Sequence, residues 1–327
     1  MKKIINHPQD VLTEMVAGFV RAHNEKIEQV PETFVIKQKE LTSQVALVSG
    51  GGSGHEPAHA GFVGHGMLQA AVCGQVFTSP TPDQILEGIK AVDQGKGVLM
   101  IVKNYSGDIM NFDMAKDLAE MEGIQVGTVV VDDDIAVENS TYTQGKRGVA
   151  GTIFVHKILG AAAGKGLSLD ELVELGKRVV GNLKTIGVAL SGATVPEVGK
   201  PGFVLADDEI EFGVGIHGEP GYKREKIKPS KEMAEELVLK LKADFEWNEG
   251  DSFAILVNGL GGTPLMEQYI FYRDCLSLLE QDQLSIPYSK VGNFMTSLEM
   301  AGVSLTLLKL EEDWLTYLNE AVDTAAW

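Results

Sequence analysis

Short apolar runs with almost no polar interruption alternate with amphipathic stretches through the first half of the chain. VALV at 45–48, LQAAVC at 68–73, GVLMIV at 97–102 and QVGTVVV at 125–131 are each of strand length. They lack the strict in–out alternation of a strand with one wet face, so they predict strands covered on both faces, the pattern of a parallel sheet. The segments between them predict helices near 82–94 and 110–122, and the succession of strand and helix is that of an α/β fold. Residues 148–185 read as mostly helical, with Ser168 as an N-cap and Glu171 as its capping-box partner. A second series follows: TIGVALSG at 185–192, EIEFGVGIH at 209–217, a helix near 230–243, SFAILVNGLGG at 252–262, a helix near 265–280 and VSLTLLKL at 303–310. The expected architecture is therefore two α/β domains, residues 1–183 with a mainly parallel sheet and residues 184–327 with a mixed sheet. The length of 327 residues agrees, because it exceeds what one core ordinarily serves.

Composition narrows the function classes. Hydrophobic residues make up 44% of the chain, enough for true cores, yet no apolar run approaches the roughly 20 residues that span a bilayer. The amino terminus MKKIINHPQDVLTEM turns polar before a signal-peptide core could form, so a cytoplasmic location is expected. Cys73 and Cys275 have no CxxC spacing and lie in apolar surroundings, which predicts buried free thiols. The formal charge of −18 argues against nucleic acid and anionic membranes as partners. With 28 basic against 46 acidic residues, the chain is also poorly suited to holding a nucleoside triphosphate by itself.

Three segments carry candidate chemistry. SGGGSGHEP at 49–57 follows the strand VALV, and its consecutive glycines free the backbone to form a concave nest for an oxygen-rich ligand. It is not a dinucleotide fingerprint, because His55 or Pro57 occupies the last glycine position of GxGxxG. It is not a Walker loop either, because each GK in the chain is followed by Gly, Arg or Pro. KNYSGDIMNF at 103–112 puts Lys103 and Asp108 at the carboxyl end of a strand, where parallel α/β sheets bind ligands, although Asp108 would also serve as a helix N-cap. GVGIHGEPG at 213–221 ends a β-type run at His217. The acids Asp132, Asp133 and Asp134 of VVVDDDIAVENS read as loop and helix-entry residues. HEPAH lacks the HExxH order, and Thr263 and Pro264 of NGLGGTPLMEQYI read as a helix start, so no metal site is expected.

Together SGGGSGHEP, CGQVFTSPTPDQ, KNYSGD, VVVDDDIAVENS, RGVAGT, GIHGEPG and VNGLGGTPLMEQY resemble the substrate-binding subunit of the phosphotransferase-system-dependent dihydroxyacetone kinases, from about Ile4 to the end of the chain. One departure is Ala193 in LSGATVP, where relatives commonly carry cysteine. The resemblance implies that His217 captures dihydroxyacetone as a hemiaminal. It also implies that His55 and Asp108 serve acid/base and substrate-hydroxyl roles, and that Gly52, Ser53, Gly54 and Lys103 contact substrate. It implies no cofactor on this chain, a nucleotide-binding partner subunit carrying ADP and magnesium, and a homodimer. Chemically the arrangement is coherent, since a neutral imidazole adds to a ketone but not to an alcohol and so separates dihydroxyacetone from glycerol by reactivity. The alternative is a non-catalytic dihydroxyacetone sensor that co-activates a transcription regulator, for which His217 alone would suffice. A lipid binder of related architecture would not need His217.

Overall fold

The computed structural model describes residues 2–137, 143–311 and 313–327. Its first sheet comprises β1 (Ile27–Gln29), β2 (Val35–Gln38), β3 (Ala46–Ser53), β4 (Ala70–Val76), β5 (Val98–Lys103) and β6 (Val126–Val131), in the order β1-β2-β4-β3-β5-β6. Strands β4, β3, β5 and β6 run parallel, and β2 and β1 add an antiparallel flank. The second sheet comprises β7 (Leu183–Ala189), β8 (Glu209–Phe212), β9 (Lys223–Lys226), β10 (Ser252–Gly259), β11 (Ser285–Gly292) and β12 (Gly302–Lys309), in the order β11-β10-β12-β7-β8-β9. It is mixed: β10 pairs parallel with β11 and antiparallel with β12. The fold class is therefore α/β with one mainly parallel and one mixed sheet, as the patterning predicts.

The helices are α1 (Val11–Ala22), α2 (Pro82–Val92), α3 (Ser106–Met121), α4 (Thr152–Gly164), α5 (Leu169–Gly181), α6 (Ser230–Phe245), α7 (Leu265–Gln281) and α8 (Trp314–Asn319). Period-two patterning assigns alternate strand residues to different cores. Val98, Met100 and Val102 of β5 pack with Ile85 and Ile89 of α2 and Phe112 of α3, whereas Leu99 and Ile101 face α4 and α5 on the other side. In β10, Phe253, Ile255 and Val257 pack against α6 and α7. Ala254 and Leu256 join the same central cluster as Leu99, Ile101 and Phe154. A shared helical layer between the sheets thus welds both halves of the chain. Each large apolar side chain fully buried in it contributes about 1.5–3 kcal/mol. Helix α4 is buried from Thr152 through Ala163, which explains why its sequence has no amphipathic period.

Local signals hold up in the structure. Ser168 caps α5, with Glu171 N donating to Ser168 Oγ and Ser168 N donating to Glu171 Oε2 at 2.8 Å. Pro264 precedes α7. Cys73 and Cys275 are free and buried, and among the described residues no helix is long and apolar enough to cross a membrane. Ala193 packs in a small apolar cluster with Ala189, Val214, Leu260 and Met300.

The acidic triplet divides. Asp133 accepts hydrogen bonds from Val149 N (2.7 Å) and Gly151 N (2.8 Å) at the entry to α4, and Thr185 of β7 also donates to it. Asp134 is a buried ion-pair partner of Arg147, a role beyond the loop reading. The last three residues of that sequence stretch, Glu138, Asn139 and Ser140, lie outside the described residues.

Lys157 is a charged group inside the central layer, where its Nζ donates to Tyr317 O at 2.5 Å. Burial pulls its pKa down to about 8. A lysine whose folded pKa is depressed contributes stability that is present above its unfolded pKa, about 10.4, and lost as pH falls through about 8. Lys157→Met is therefore expected to be more stable than the parent at pH 7 by about 1–2 kcal/mol, after allowing for the lost hydrogen bond. The gap should close between pH 8 and 10.5 in urea titrations; a gap independent of pH would contradict a charged Lys157 in the core.

Candidate functional site

The parallel sheet positions the site. From β3 the chain passes to β4 on one side and then, through α2, to β5 on the other, so the carboxyl ends of β3 and β5 flank the point where strand order reverses. That is where open α/β sheets bind ligands. β3 ends in the glycine loop and β5 ends at Lys103. Above them lies a cavity of about 310 Å³ lined by Gly52, Phe77, Ser79, Tyr105, Gly107, Asp108 and His217. Gly52 is required there by contact: a Cβ at that position would lie 2.4 Å from Thr78 N and 2.7 Å from Phe77 Cα.

Two histidines far apart in sequence meet beside this cavity, His217 in its wall and His55 behind it. His55 Nε2 lies 3.1 Å from His217 Nε2, with the rings edge-on at 4.8 Å between centroids. Each ring is held from behind. His55 Nδ1 lies 2.7 Å from Thr296 O, and His217 Nδ1 lies 3.2 Å from Glu219 Oε1. A carbonyl oxygen and a carboxylate only accept, so these contacts assign the proton to Nδ1 in both rings. In two neutral rings so protonated, the two Nε2 atoms face each other as lone pairs, and His217 Nε2 is free to act as a nucleophile. Phe77 stacks on His55 at 5.1 Å, and Tyr105 meets His217 edge-on at 4.6 Å, fixing both rings apart from their hydrogen bonds.

Charge around the pair is organised by burial. Burial pushes the His55 pKa well below the ordinary histidine value, and the nearby His217 and Lys103 charges act the same way, so the ring is held neutral. Burial also pushes the Tyr105 hydroxyl well above its usual value, with the Glu219 charge adding to it, which keeps it protonated. For Glu219, burial works to raise the pKa but is outweighed. The hydrogen bond and charge of His217 and the charge of Arg147 hold its carboxyl below the usual range. Glu219 Oε2 also accepts from His217 N at 2.9 Å.

The other sequence candidates occupy distinct places. Asp108 forms part of the cavity wall and pairs with Lys103 (Nζ to Oδ2, 3.3 Å); Lys103 is 1% exposed and also donates to Gly50 O at 3.3 Å. Asp108 is not the N-cap of its helix: α3 begins at Ser106 after Tyr105, so Asp108 lies inside the first turn, where the exposed amide groups favour a carboxylate. Ser53 and Gly54 do not line the cavity. Ser53 Oγ donates to Gly74 O, and Gly54 N donates to the Glu56 carboxylate at 2.9 Å. His217 does not end a strand, since β8 stops at Phe212 and His217 lies in the turn beyond it.

Sequence reading passed over Phe77, Tyr105, Glu219 and the Thr296 carbonyl. Phe77, Tyr105 and Glu219 lie within the quoted motifs, and an acid two residues after a histidine in a glycine turn was a usable signal. Nothing in the sequence marks a backbone oxygen 241 residues from His55. Among the described residues no cluster of three or more His, Cys, Asp or Glu side chains could hold a metal ion. What the cavity offers is an imidazole nitrogen and a carboxylate around a volume suited to a small polar molecule.

Residues 17–326 match the Dak1 domain family. The chain is 63% identical, over its whole length and 99% of the relative, to the dihydroxyacetone-binding subunit of a phosphotransferase-system-dependent dihydroxyacetone kinase of Lactococcus lactis. It is 45% identical, over 99% of its length and all of the relative, to an operon coactivator from the same organism. The solved structure of a dihydroxyacetone kinase operon co-activator superposes with a TM-score of 0.92 at 46% identity, covering 96% of this chain and 97% of that one. With a family match over nearly all of its length and relatives this similar, the chain belongs to the Dak1 domain family.

Proposed function

We propose that this chain binds dihydroxyacetone covalently through His217 and presents its hydroxyl for phosphorylation by a nucleotide-bearing partner subunit, giving dihydroxyacetone phosphate. The observation that carries this reading is the His55–His217 contact, with both Nδ1 atoms engaged from behind and His217 lining a small cavity walled by Asp108. A ketone entering between the rings meets the Nε2 lone pair of His217. As the N–C bond forms, the carbonyl π pair becomes an alkoxide, which takes up one proton from solvent, and the neutral His55 Nε2 accepts a hydrogen bond from the new hydroxyl. The resulting N-substituted imidazolium keeps its Nδ1–H against the Glu219 carboxylate, so charge and protons balance. Asp108 then accepts the proton of the terminal hydroxyl as that oxygen attacks phosphorus. Capture in one orientation makes the transfer effectively unimolecular.

On this reading the chain acts as a homodimer, ADP and magnesium belong to the partner subunit, and the phosphoryl group originates in the phosphotransferase system. The glycine loop supports that division of labour, because its Gly54 N–H is already occupied by the Glu56 carboxylate, which would repel a phosphate. Calorimetry with ATP and magnesium is accordingly expected to give no binding in the micromolar range, and tight binding would overturn the split-enzyme reading. The direct test mixes the protein with dihydroxyacetone and an ADP-loaded donor subunit and follows phosphorylated product, alongside crystals soaked in the ketone. Continuous density from His217 Nε2 to the ligand and turnover are expected.

A second reading is a dihydroxyacetone sensor that co-activates a transcription regulator, supported by the 45% identity and the TM-score of 0.92 to such co-activators. It predicts the same adduct without turnover. The presence of Asp108 in the cavity wall, paired with buried Lys103, favours the kinase subunit.

A further inference from the structure

Arg147 lies near the candidate site without touching the cavity, and its guanidinium is built into the fold in an unusual way. It is fully buried. Its Nε donates to Asp134 Oδ2 at 2.9 Å, Nη2 lies 2.7 Å from the same oxygen in an ion pair, and Nη2 donates to Gly213 O at 2.7 Å. Asp134 is itself fixed, its Oδ1 accepting from Ala136 N at 2.9 Å. The third nitrogen, Nη1, has no protein partner, and neither has the buried hydroxyl of Tyr105. Nη1 approaches Glu219 at Gly215: a Cβ there would lie 2.1 Å from Glu219 Oε2 and 2.7 Å from Arg147 Nη1. Only a residue without a side chain lets the carboxylate and the guanidinium converge on that point. A buried arginine with a donor left over is costly unless that donor faces negative charge, and the carboxylate it faces is the one holding His217.

We propose that Arg147, clamped by Asp134 and aimed at Glu219 across Gly215, is a positioning residue that keeps the Glu219 carboxylate ionised behind His217. Through Glu219 it fixes the His217 ring with Nδ1–H inward and Nε2 toward the cavity, and it preserves the negative charge that the imidazolium adduct needs. Arg147 itself makes no contact with the cavity or with a reacting atom. The titratable and charged groups facing Glu219 are His217, Arg147, Tyr105 and Asp134. Arg147 and His217 favour its ionised form, whereas Asp134 opposes it by like charge. Loss of Arg147 therefore moves Glu219 protonation up in pH, and loss of the Asp134 charge moves it down.

The chemical role assigned to Glu219 rests on the proposed covalent capture, but the electrostatic coupling can be measured without any ketone. The experiment follows the Glu219 side-chain carboxyl by carbon-13 NMR titration of the ligand-free protein. Arg147→Met combined with Asp134→Leu removes the ion pair without stranding either charge, Arg147→Lys keeps the charge, and Asp134→Asn removes the opposing carboxylate. The Glu219 midpoint should rise by at least about one pH unit in Arg147→Met, a tenfold change in its protonation constant, and by less in the double variant, where the lost Asp134 charge offsets part of the rise. It should stay near the parent value in Arg147→Lys and fall in Asp134→Asn. If the double variant does not fold, the opposite signs expected for Arg147→Met and Asp134→Asn remain a test. A midpoint indifferent to both, or a rise in Asp134→Asn, overturns the proposal.

With dihydroxyacetone present, the acid limit of adduct formation in Arg147→Met should move up with the Glu219 midpoint, giving about tenfold less adduct on that limb. Arg147→Lys should restore it, which a purely structural role would not predict. If Glu219 responds as expected but the parent protein forms no adduct, the functional reading fails and the coupling stands. If the parent and Arg147→Met form adduct with the same acid limit, the functional reading stands and the positioning role is overturned.

Discussion

His217→Ala is expected to abolish the covalent adduct with dihydroxyacetone and to lower turnover on the order of 10³-fold or more, because capture and orientation are lost together. No neighbour replaces the nitrogen. His55 is fully buried, directed by Thr296, and does not form the cavity wall. The substitution leaves the backbone contact between residue 217 and Glu219 in place but removes the ring that Tyr105 and Phe77 pack against, so a modest stability loss is expected as well. Ketone-soaked crystals and steady-state phosphorylation at saturating partner subunit check it, with a thermal melt showing that the variant is folded. Full turnover from a folded His217→Ala protein would remove covalent capture from the mechanism.

Asp108→Asn separates binding from transfer. Ketone capture depends on His217 and should survive, whereas turnover should fall about 10²- to 10⁴-fold with loss of the base. This substitution is not neutral for the fold, because Asp108 is the carboxylate partner of a buried lysine rather than a helix cap. The Asn oxygen can still accept from Lys103, so a stability loss of about 1–3 kcal/mol is expected, short of unfolding. Isothermal binding of the ketone and a urea titration accompany the kinetics. Near-normal turnover would leave His55 as the group that takes the hydroxyl proton.

The sequence exposes the elements in which each residue's own environment is uniform. The runs at β3, β5, β10 and β12 are buried on both faces, so they read as strands without reference to partners. The Ser168–Glu171 capping box closes within three residues and is equally legible. The short edge strands β1 and β9 are not. β9 is the charged tetrapeptide Lys223–Lys226, whose strand character comes wholly from pairing with β8. The extent of α3 was also obscured, because its first turn carries Gly107 and Asp108, residues that by themselves read as a loop.

For the site, residue type and motif singled out His55, Lys103, Asp108 and His217, since histidine, lysine and aspartate beside glycine turns at strand ends are where ligand chemistry concentrates in such folds. By itself, then, the sequence determined the α/β class, the two sheet types, the chemical inventory and the family resemblance, all of which depend on local pattern. The tertiary structure alone decided how these pieces act together. It joined the two sheets through one central core, brought His55 against His217 from 162 residues away, and set the Thr296 carbonyl and the Glu219 carboxylate behind the two rings. It also buried Arg147 beside Glu219 across Gly215. The physical reason is that ring orientation, proton position and carboxylate charge depend on distances of a few ångströms and on exclusion of water. Neither is encoded in the spacing of residues along the chain until non-local packing brings them together.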